Sequence, residues 1–368
     1  MGQLPARAVN AADTTTFVLP DDVADVTLAS GGNTYDRRMC DVLGLRAVTV
    51  AGRWPPPDAA ARAALDSALA AVPDGSVALM DGLVACGVPE VVVPHTRRLR
   101  LAVLLHLPLA DETGLPADRA AELDALERET LHAASAVVAT SEWAGRRLVD
   151  HHGLDPDRVH VAPPGTDPAP LSAGSPSGAR LLCLASITPR KGQDLLAEAL
   201  AGIAELPWTC DCVGSLRRDP EYAATVRDLI ARHGLAGRMS LTGPLPDADL
   251  DAALAGTDLL VLPSRGETYG MVVTEALARG IPVLTTLVDA LPDTLGHARD
   301  GGLPGLLVPP DDVAALTEAL RGYLTQQWLR DRLRTSAHER RRDLEDWDTA
   351  AARLAGVLSG LRGAPCAA

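Results

Sequence analysis

"DLLVLPSRGETYGMVVTEALARGIPVLTT", residues 258–286, reads as one complete structural unit. It opens on a short apolar run, breaks at Pro263 and Gly266, and resumes as "MVVTEALAR" with helical spacing. Gly280 and Pro282 close that helix, and "PVLTT" (282–286) begins a second apolar run. The runs are too short for helices and are apolar on both faces, as strands covered from both sides are. Strand, helix and strand in this order make a right-handed crossover between parallel strands.

The same alternation extends outward in both directions. Before it, strands are expected at "DVTLAS" (25–30), "AVTVAG" (47–52), "SVALMDG" (76–82), "EVVVP" (90–94), "LRLAVLLHL" (99–107), "AVVATS" (136–141) and "VHVAPP" (159–164). Nearer to it they are expected at "RLLCLAS" (180–186), "CDCVGS" (210–215) and "MSLTG" (239–243). Helices are expected between them, at 116–135, 192–204, 221–234 and 247–256 among others. The class is α/β, with doubly wound parallel sheets. The 368 residues exceed one ordinary core and suit two domains. "PPGTDPAPLSAGSPSG" (163–178) is dense in Pro, Gly and Ser and reads as the linker. The boundaries expected are 1–168 and 169–344, the two sheets facing each other across a cleft.

Composition excludes several classes. Net charge is −14, and residues 1–168 alone hold 14 Arg against 23 Asp plus Glu. Neither a nucleic-acid-binding face nor a polybasic membrane surface fits that balance. No uncharged apolar run approaches the ~18 residues of a membrane span. The opening "MGQLPARAVNAADTTT" lacks the apolar centre of a secretory signal. Cys40, Cys86, Cys183, Cys210, Cys212 and Cys366 show no metal-like spacing. Buried free thiols in a reducing cytoplasm are the expectation.

In open α/β sheets ligands sit beyond the carboxyl ends of the strands, so the residues there carry the chemistry. Gly31 and Gly32 follow "DVTLAS" and let backbone approach a ligand; a plain turn would read the same. The spacing is not G-x-G-x-x-G, which disfavours a nicotinamide or flavin site. His106 ends an otherwise apolar strand, and the remaining histidines read mostly as surface groups. Lys191, the only lysine in the chain, stands with Gly192 where a strand passes into a helix. An ammonium there is a compact charge suited to phosphate. Glu267 lies in the loop before the 270s helix and Glu275 inside it. Eight helical residues span about 12 Å, roughly the reach from the sugar to the ribose of a sugar nucleotide. The helix start between them, at Gly270 and Met271, can receive a diphosphate.

Taken together, "SGGNTYD", "LLHLPL", "AVVATSEWAGRRL", "VHVAPPGTDP", "ITPRKGQDLL", "TGPL" and "PSRGETYGMVVTEALARGIPVLTT" resemble glycosyltransferase family 4, in the family's order over about residues 25–320. The two glutamates match its E-x7-E signature. The resemblance implies a GT-B fold, two Rossmann-like domains, with helix 345–361 crossing back onto the first. It implies that Glu267 contacts the donor sugar, that Gly270 and Met271, beside Tyr269, offer N–H groups to the diphosphate, and that Glu275 binds the ribose. Lys191 would neutralise the β-phosphate as it leaves. Gly31 and Gly32 would line the cleft, His106 would lie at the sugar, and Thr242, Gly243 and Leu245 near the base. The family often has an arginine shortly before the lysine. Here "CLASIT" has none, leaving Arg190 as the neighbouring cation.

The activity implied is retaining transfer of a hexosyl group from a UDP or GDP sugar to a soluble acceptor hydroxyl. No cofactor is implied beyond the donor, and fixed N–H groups with Lys191 could meet the leaving charge without metal. The pairs Asp155/Asp157 and Asp247/Asp249 lie at helix starts and read as caps rather than metal ligands. Alternatives are another GT-B enzyme, such as an epimerase or a phosphorylase, a non-catalytic nucleotide-sugar binder, and a dehydrogenase.

Overall fold

The computed structural model describes residues 15–28 and 30–363. Along the first half run β1 (Thr16–Pro20), α1 (Gly31–Leu43), β2 (Arg46–Val50), α2 (Ala59–Ala70), β3 (Val77–Asp81), α3 (Gly82–Ala85), α4 (Pro89–Val92), β4 (Arg100–Leu105), α5 (Ala117–Ala133), β5 (Ala136–Ala139), α6 (Glu142–His152) and β6 (Val159–Val161). The second half holds β7 (Arg180–Leu184), α7 (Gln193–Ala201), β8 (Thr209–Val213), α8 (Pro220–Arg232), β9 (Met239–Gly243), α9 (Asp247–Ala255), β10 (Leu259–Leu262), α10 (Met271–Ala278), β11 (Val283–Thr286), α11 (Leu291–Leu295) and β12 (Gly305–Val308). Three helices follow: α12 (Val313–Thr325), α13 (Gln327–Arg340) and α14 (Trp347–Arg362).

The strands form two six-stranded sheets, both parallel, ordered β2-β1-β3-β4-β5-β6 and β12-β11-β10-β7-β8-β9. The chain reverses its direction of growth between β1 and β3 in the first sheet and between β7 and β10 in the second. A crevice opens beyond the strand ends at each reversal. Residues 163–175 form neither strand nor helix. Beyond them, α14 returns to the first sheet: Trp347, Ala350, Leu354 and Leu358 share an apolar cluster with Phe17, Leu19, Tyr35 and Val138.

Two expected strands are not strands. Residues 25–30 do not form the first strand; Val26–Leu28 is a 3-10 turn, because the Asp25 carboxylate accepts from Thr27 N–H at 2.8 Å and Thr27 Oγ1 at 2.7 Å. That local bonding competes with a sheet ladder. The first strand is "TFVLP" upstream, where Phe17, Val18 and Leu19 are fully buried between β2 and β3. Residues 90–94 are helical: Pro89 opens the helix at a position where its missing N–H costs nothing, and Val93–Arg97 tightens to 3-10. β12 is a strand the sequence reading did not include. His95 and His152 are buried rather than superficial. Of the cysteines, Cys86, Cys183, Cys210 and Cys212 are buried and Cys40 is half-buried; Cys366 lies outside the described residues.

Candidate active site

A cavity of about 320 Å³ lies between the sheets, lined from both. Its second-sheet wall is built at the β7/β10 reversal. Two loops meet there and are stitched by Arg265, whose guanidinium donates to Asp194 at 2.8 and 3.0 Å and to the Pro189 carbonyl at 2.6 Å. Its own N–H donates to the Arg190 carbonyl at 2.7 Å. The turn Pro189–Lys191 is therefore fixed against the loop that carries Glu267. Gly192 makes the turn possible: its φ is +70°, and a Cβ there would stand 2.1 Å from the Pro263 carbonyl oxygen.

The Lys191 ammonium donates to Glu267 Oε2. Arg190 Nη1 lies 3.7 Å from Glu267 Oε1 and donates to the Gly266 carbonyl at 3.0 Å, so its side chain faces the cleft. Burial opposes ionisation of Glu267, but the charges of Lys191 and Arg190 outweigh it and hold the carboxyl below its usual range. Burial, then the neighbouring Arg190, lowers Lys191. Glu267 N–H donates to Asp289 Oδ2 at 2.8 Å, fixing the loop from below. Three residues on, Gly270 caps α10 in the left-handed conformation, and Met271 and Val272 of its first turn line the cavity. A first turn presents N–H groups without intrahelical partners.

The first-sheet wall is built at the β1/β3 reversal. Gly31 opens α1 behind the Ser30 cap, and Gly32 admits the His106 ring, which a Cβ would approach to 3.1 Å. His106 Nε2 is 2.8 Å from Asp36 Oδ1, on the buried face of α1. Asp81, the last residue of β3, completes a group of three whose ligating atoms lie within 4.8 Å of one another. Burial works against the His106 proton, but the charge and hydrogen bond of Asp36 prevail and raise it to about 9. Burial, then the Asp36 charge, raises Asp81 to about 7. Thr268 Oγ1 donates to the His106 carbonyl, joining the two walls.

Lys191, Arg190, Glu267, Tyr269, Gly270, Met271, Gly31, Gly32 and His106 all line this one cavity. Glu275, Thr242, Gly243 and Leu245 do not. Glu275 lies one turn beyond Met271, half-buried, and burial raises its carboxyl. Asp155 caps the turn 156–158 through Asp157 N–H at 3.0 Å, and Asp247 and Asp249 lie in the first turn of α9. Sequence reasoning missed Asp36, Asp81 and Arg218, which also line or support the cavity. Asp81 left a signal, a carboxylate closing an otherwise apolar strand. Asp36 left little, since its burial follows from helix phase.

Parallel Rossmann-like sheets facing a cleft define the GT-B architecture. The family description "Glycosyl transferases group 1" matches residues 175–340, and "Glycosyltransferase Family 4" matches residues 48–170. Among curated relatives, D-inositol 3-phosphate glycosyltransferase 1 of Catenulispora acidiphila is 30% identical over 76% of this chain and 69% of its own length. The 2-deoxystreptamine glucosyltransferase of Streptomyces kanamyceticus is 32% identical over 68% of this chain and 66% of its own. The D-inositol 3-phosphate glycosyltransferase of Nocardia farcinica is 30% identical over 67% of this chain, and the match spans 55% of that protein's length. Sucrose-phosphate synthase from Thermosynechococcus elongatus superposes with a TM-score of 0.74 at 19% identity, over 94% of this chain and 99% of the other. Anabaena HepE in complex with UDP-glucose gives 0.69 at 18%, over the same shares. The chain belongs to glycosyltransferase family 4, with the GT-B fold. Among the described residues no helix is long and apolar enough to cross a membrane.

Proposed function

We propose that this protein transfers a hexosyl group from a nucleoside-diphosphate sugar, UDP- or GDP-linked, to a hydroxyl of a soluble acceptor in the cytoplasm. The observation that carries this reading is the cation pair Lys191/Arg190 closed onto Glu267, ahead of the open first turn of α10. A diphosphate placed there meets two fixed cations and unpaired N–H groups. It would take the cations from Glu267, whose carboxylate then becomes free to accept from sugar hydroxyls.

As the anomeric C–O bond breaks, its electron pair passes to the β-phosphate, where charge develops. Pre-set cations and N–H dipoles stabilise that charge without reorganising, worth on the order of 10²–10³ in rate for one such donor. The acceptor oxygen bonds to the anomeric carbon on the face the phosphate leaves. Its proton goes to the departing phosphate oxygen, and configuration is retained. No metal is needed for this charge balance. Glu275 would hold the ribose, and Thr242, Gly243 and Leu245 would flank the base. We read the chain as two domains, 1–168 and 169–344, with the donor on the second.

The test is nucleoside-diphosphate release from UDP- and GDP-hexoses in the presence of EDTA, with the anomeric proton coupling of the product read by NMR. Release with retained configuration supports the reading. An inverted product overturns the stereochemical course, and loss of activity in EDTA overturns metal independence.

A further inference from the structure

Among the described residues, two groups of three side chains place possible metal-ligating atoms within 4.8 Å of one another. One is Asp36, Asp81 and His106, at the cavity. The other is Asp124, His151 and His152, none of which lines it. Asp124 lies on α5, and the two histidines are the last residues of α6.

His152 is the fixed member of the second group. It is 2% exposed. Its carbonyl accepts from two side chains of α5, His132 Nε2 at 2.9 Å and Arg128 Nη1 at 3.4 Å. Its ring Nε2 is 3.0 Å from Glu127 Oε1, and the other oxygen of that buried carboxylate accepts from Leu109 N–H at 2.9 Å. With the carboxylate as acceptor, the ring donates from Nε2 and, as the neutral imidazole, keeps a lone pair on Nδ1. Nδ1 is buried without a hydrogen-bond partner. A buried polar atom left unserved is costly. A histidine that gives one N–H to a carboxylate and keeps its other nitrogen free is arranged as metal-ligating histidines are.

The other two members stand beside it. The His151 and His152 rings meet edge to face with centroids 4.8 Å apart. His151 Nε2 contacts Asp124 Oδ1, and Arg128 Nη2 donates to the other Asp124 oxygen at 3.3 Å. Tetrahedral zinc ligands, about 2.0–2.1 Å from the ion, stand about 3.4 Å apart. The His151 side chain is 40% exposed and can swing to close the set, while His152 stays in place.

We propose that Asp124 Oδ1, His151 Nε2 and His152 Nδ1 bind a zinc-class divalent cation, with water as the fourth ligand, and that the ion clamps the end of α6 to α5. Two imidazoles and one carboxylate suit zinc rather than calcium or magnesium. Asp124 and Glu127 supply the two negative charges that balance it. The ion takes the place of the proton between His151 Nε2 and Asp124 Oδ1, which moves to His151 Nδ1 or to solvent. The site is separate from the cavity and independent of the transferase reading.

The experiment titrates the untagged, chelator-treated protein with zinc chloride by calorimetry and with cobalt(II) by visible absorption. The expected result is one zinc ion per chain, the d–d bands of four- or five-coordinate cobalt, and a Tm higher by at least about 3 °C when free zinc exceeds its Kd about a hundredfold. His151→Ala, at an exposed position, should weaken zinc at least about tenfold and remove the zinc-dependent rise in Tm, with the circular dichroism of the wild type. His106→Ala, in the other group, should bind zinc as the wild type does. Failure of the wild type to bind zinc, or to give the cobalt bands, overturns the proposal. So does wild-type zinc affinity in His151→Ala, or a loss confined to His106→Ala.

Discussion

The two crevices are built alike and charged oppositely. Each sits where a parallel sheet reverses its order, and each has a strand end on one side and a helix start on the other. At β7/β10 the strand ends deliver Lys191, Arg190 and Glu267, a net positive set. On the first sheet the end of β3 delivers Asp81, the end of β4 delivers His106 and the buried face of α1 delivers Asp36, with acid in excess. One topology thus supplies two differently furnished walls to one cavity. On the function proposed above, the anionic donor belongs with the first set.

The largest effect is expected at Glu267, the group that both cations contact. Glu267→Ala should lower kcat on the order of a thousandfold with the fold intact, measured as nucleoside-diphosphate release alongside circular dichroism. Wild-type turnover would remove Glu267 from the chemistry. Lys191→Ala should follow, with a loss of roughly a hundredfold in kcat. If it instead collapsed stability and spared the rate, the lysine would be structural.

A third change tests the opposite wall. Asp36→Asn removes the charge that raises His106, so the imidazole should titrate well below 9, read from its ring proton shifts. Donor affinity should hold. An unmoved titration would mean that Asp36 does not govern the ring.

The smallest effect is on stability. His106 titrates near 6.5 when unfolded and near 9 when folded, so its contribution is complete below 6.5 and lost as pH rises through 9. Asp81 is raised from 3.8 to about 7, so its ionisation in the fold is unfavourable, and stability falls as pH climbs through that interval. Both terms make the protein less stable as pH rises. Asp81→Asn should flatten the lower part of that slope, by at least about 2 °C in Tm.

The contrast between the walls was only half legible in the sequence. The second wall was readable because its residues are close along the chain: the Lys191 turn follows one strand, and Glu267 with α10 follows another. Short-range punctuation by Gly192, Gly270 and Pro282 marks them. The first wall is assembled from residues 31, 36, 81 and 106, which meet only when β1, β3 and β4 are paired in register. The misread start of the chain compounded this. Asp25 pulls residues 25–28 into a turn, and the true first strand at Phe17–Leu19 then sets the phase of α1 that buries Asp36. Arg190 shows the same limit in the other direction. Side chains adjacent in sequence ordinarily diverge, yet the 3-10 turn brings both cations to Glu267.

The most direct measurement is calorimetric titration of the wild type with UDP, GDP, ADP and TDP, repeated on Lys191→Ala and Asp81→Asn. The result expected is that at least one nucleoside diphosphate binds, that Lys191→Ala weakens it at least tenfold, and that Asp81→Asn leaves it unchanged. Equal losses in both variants would contradict the division between the two walls. No binding of any nucleoside diphosphate to the wild type would contradict the donor site itself.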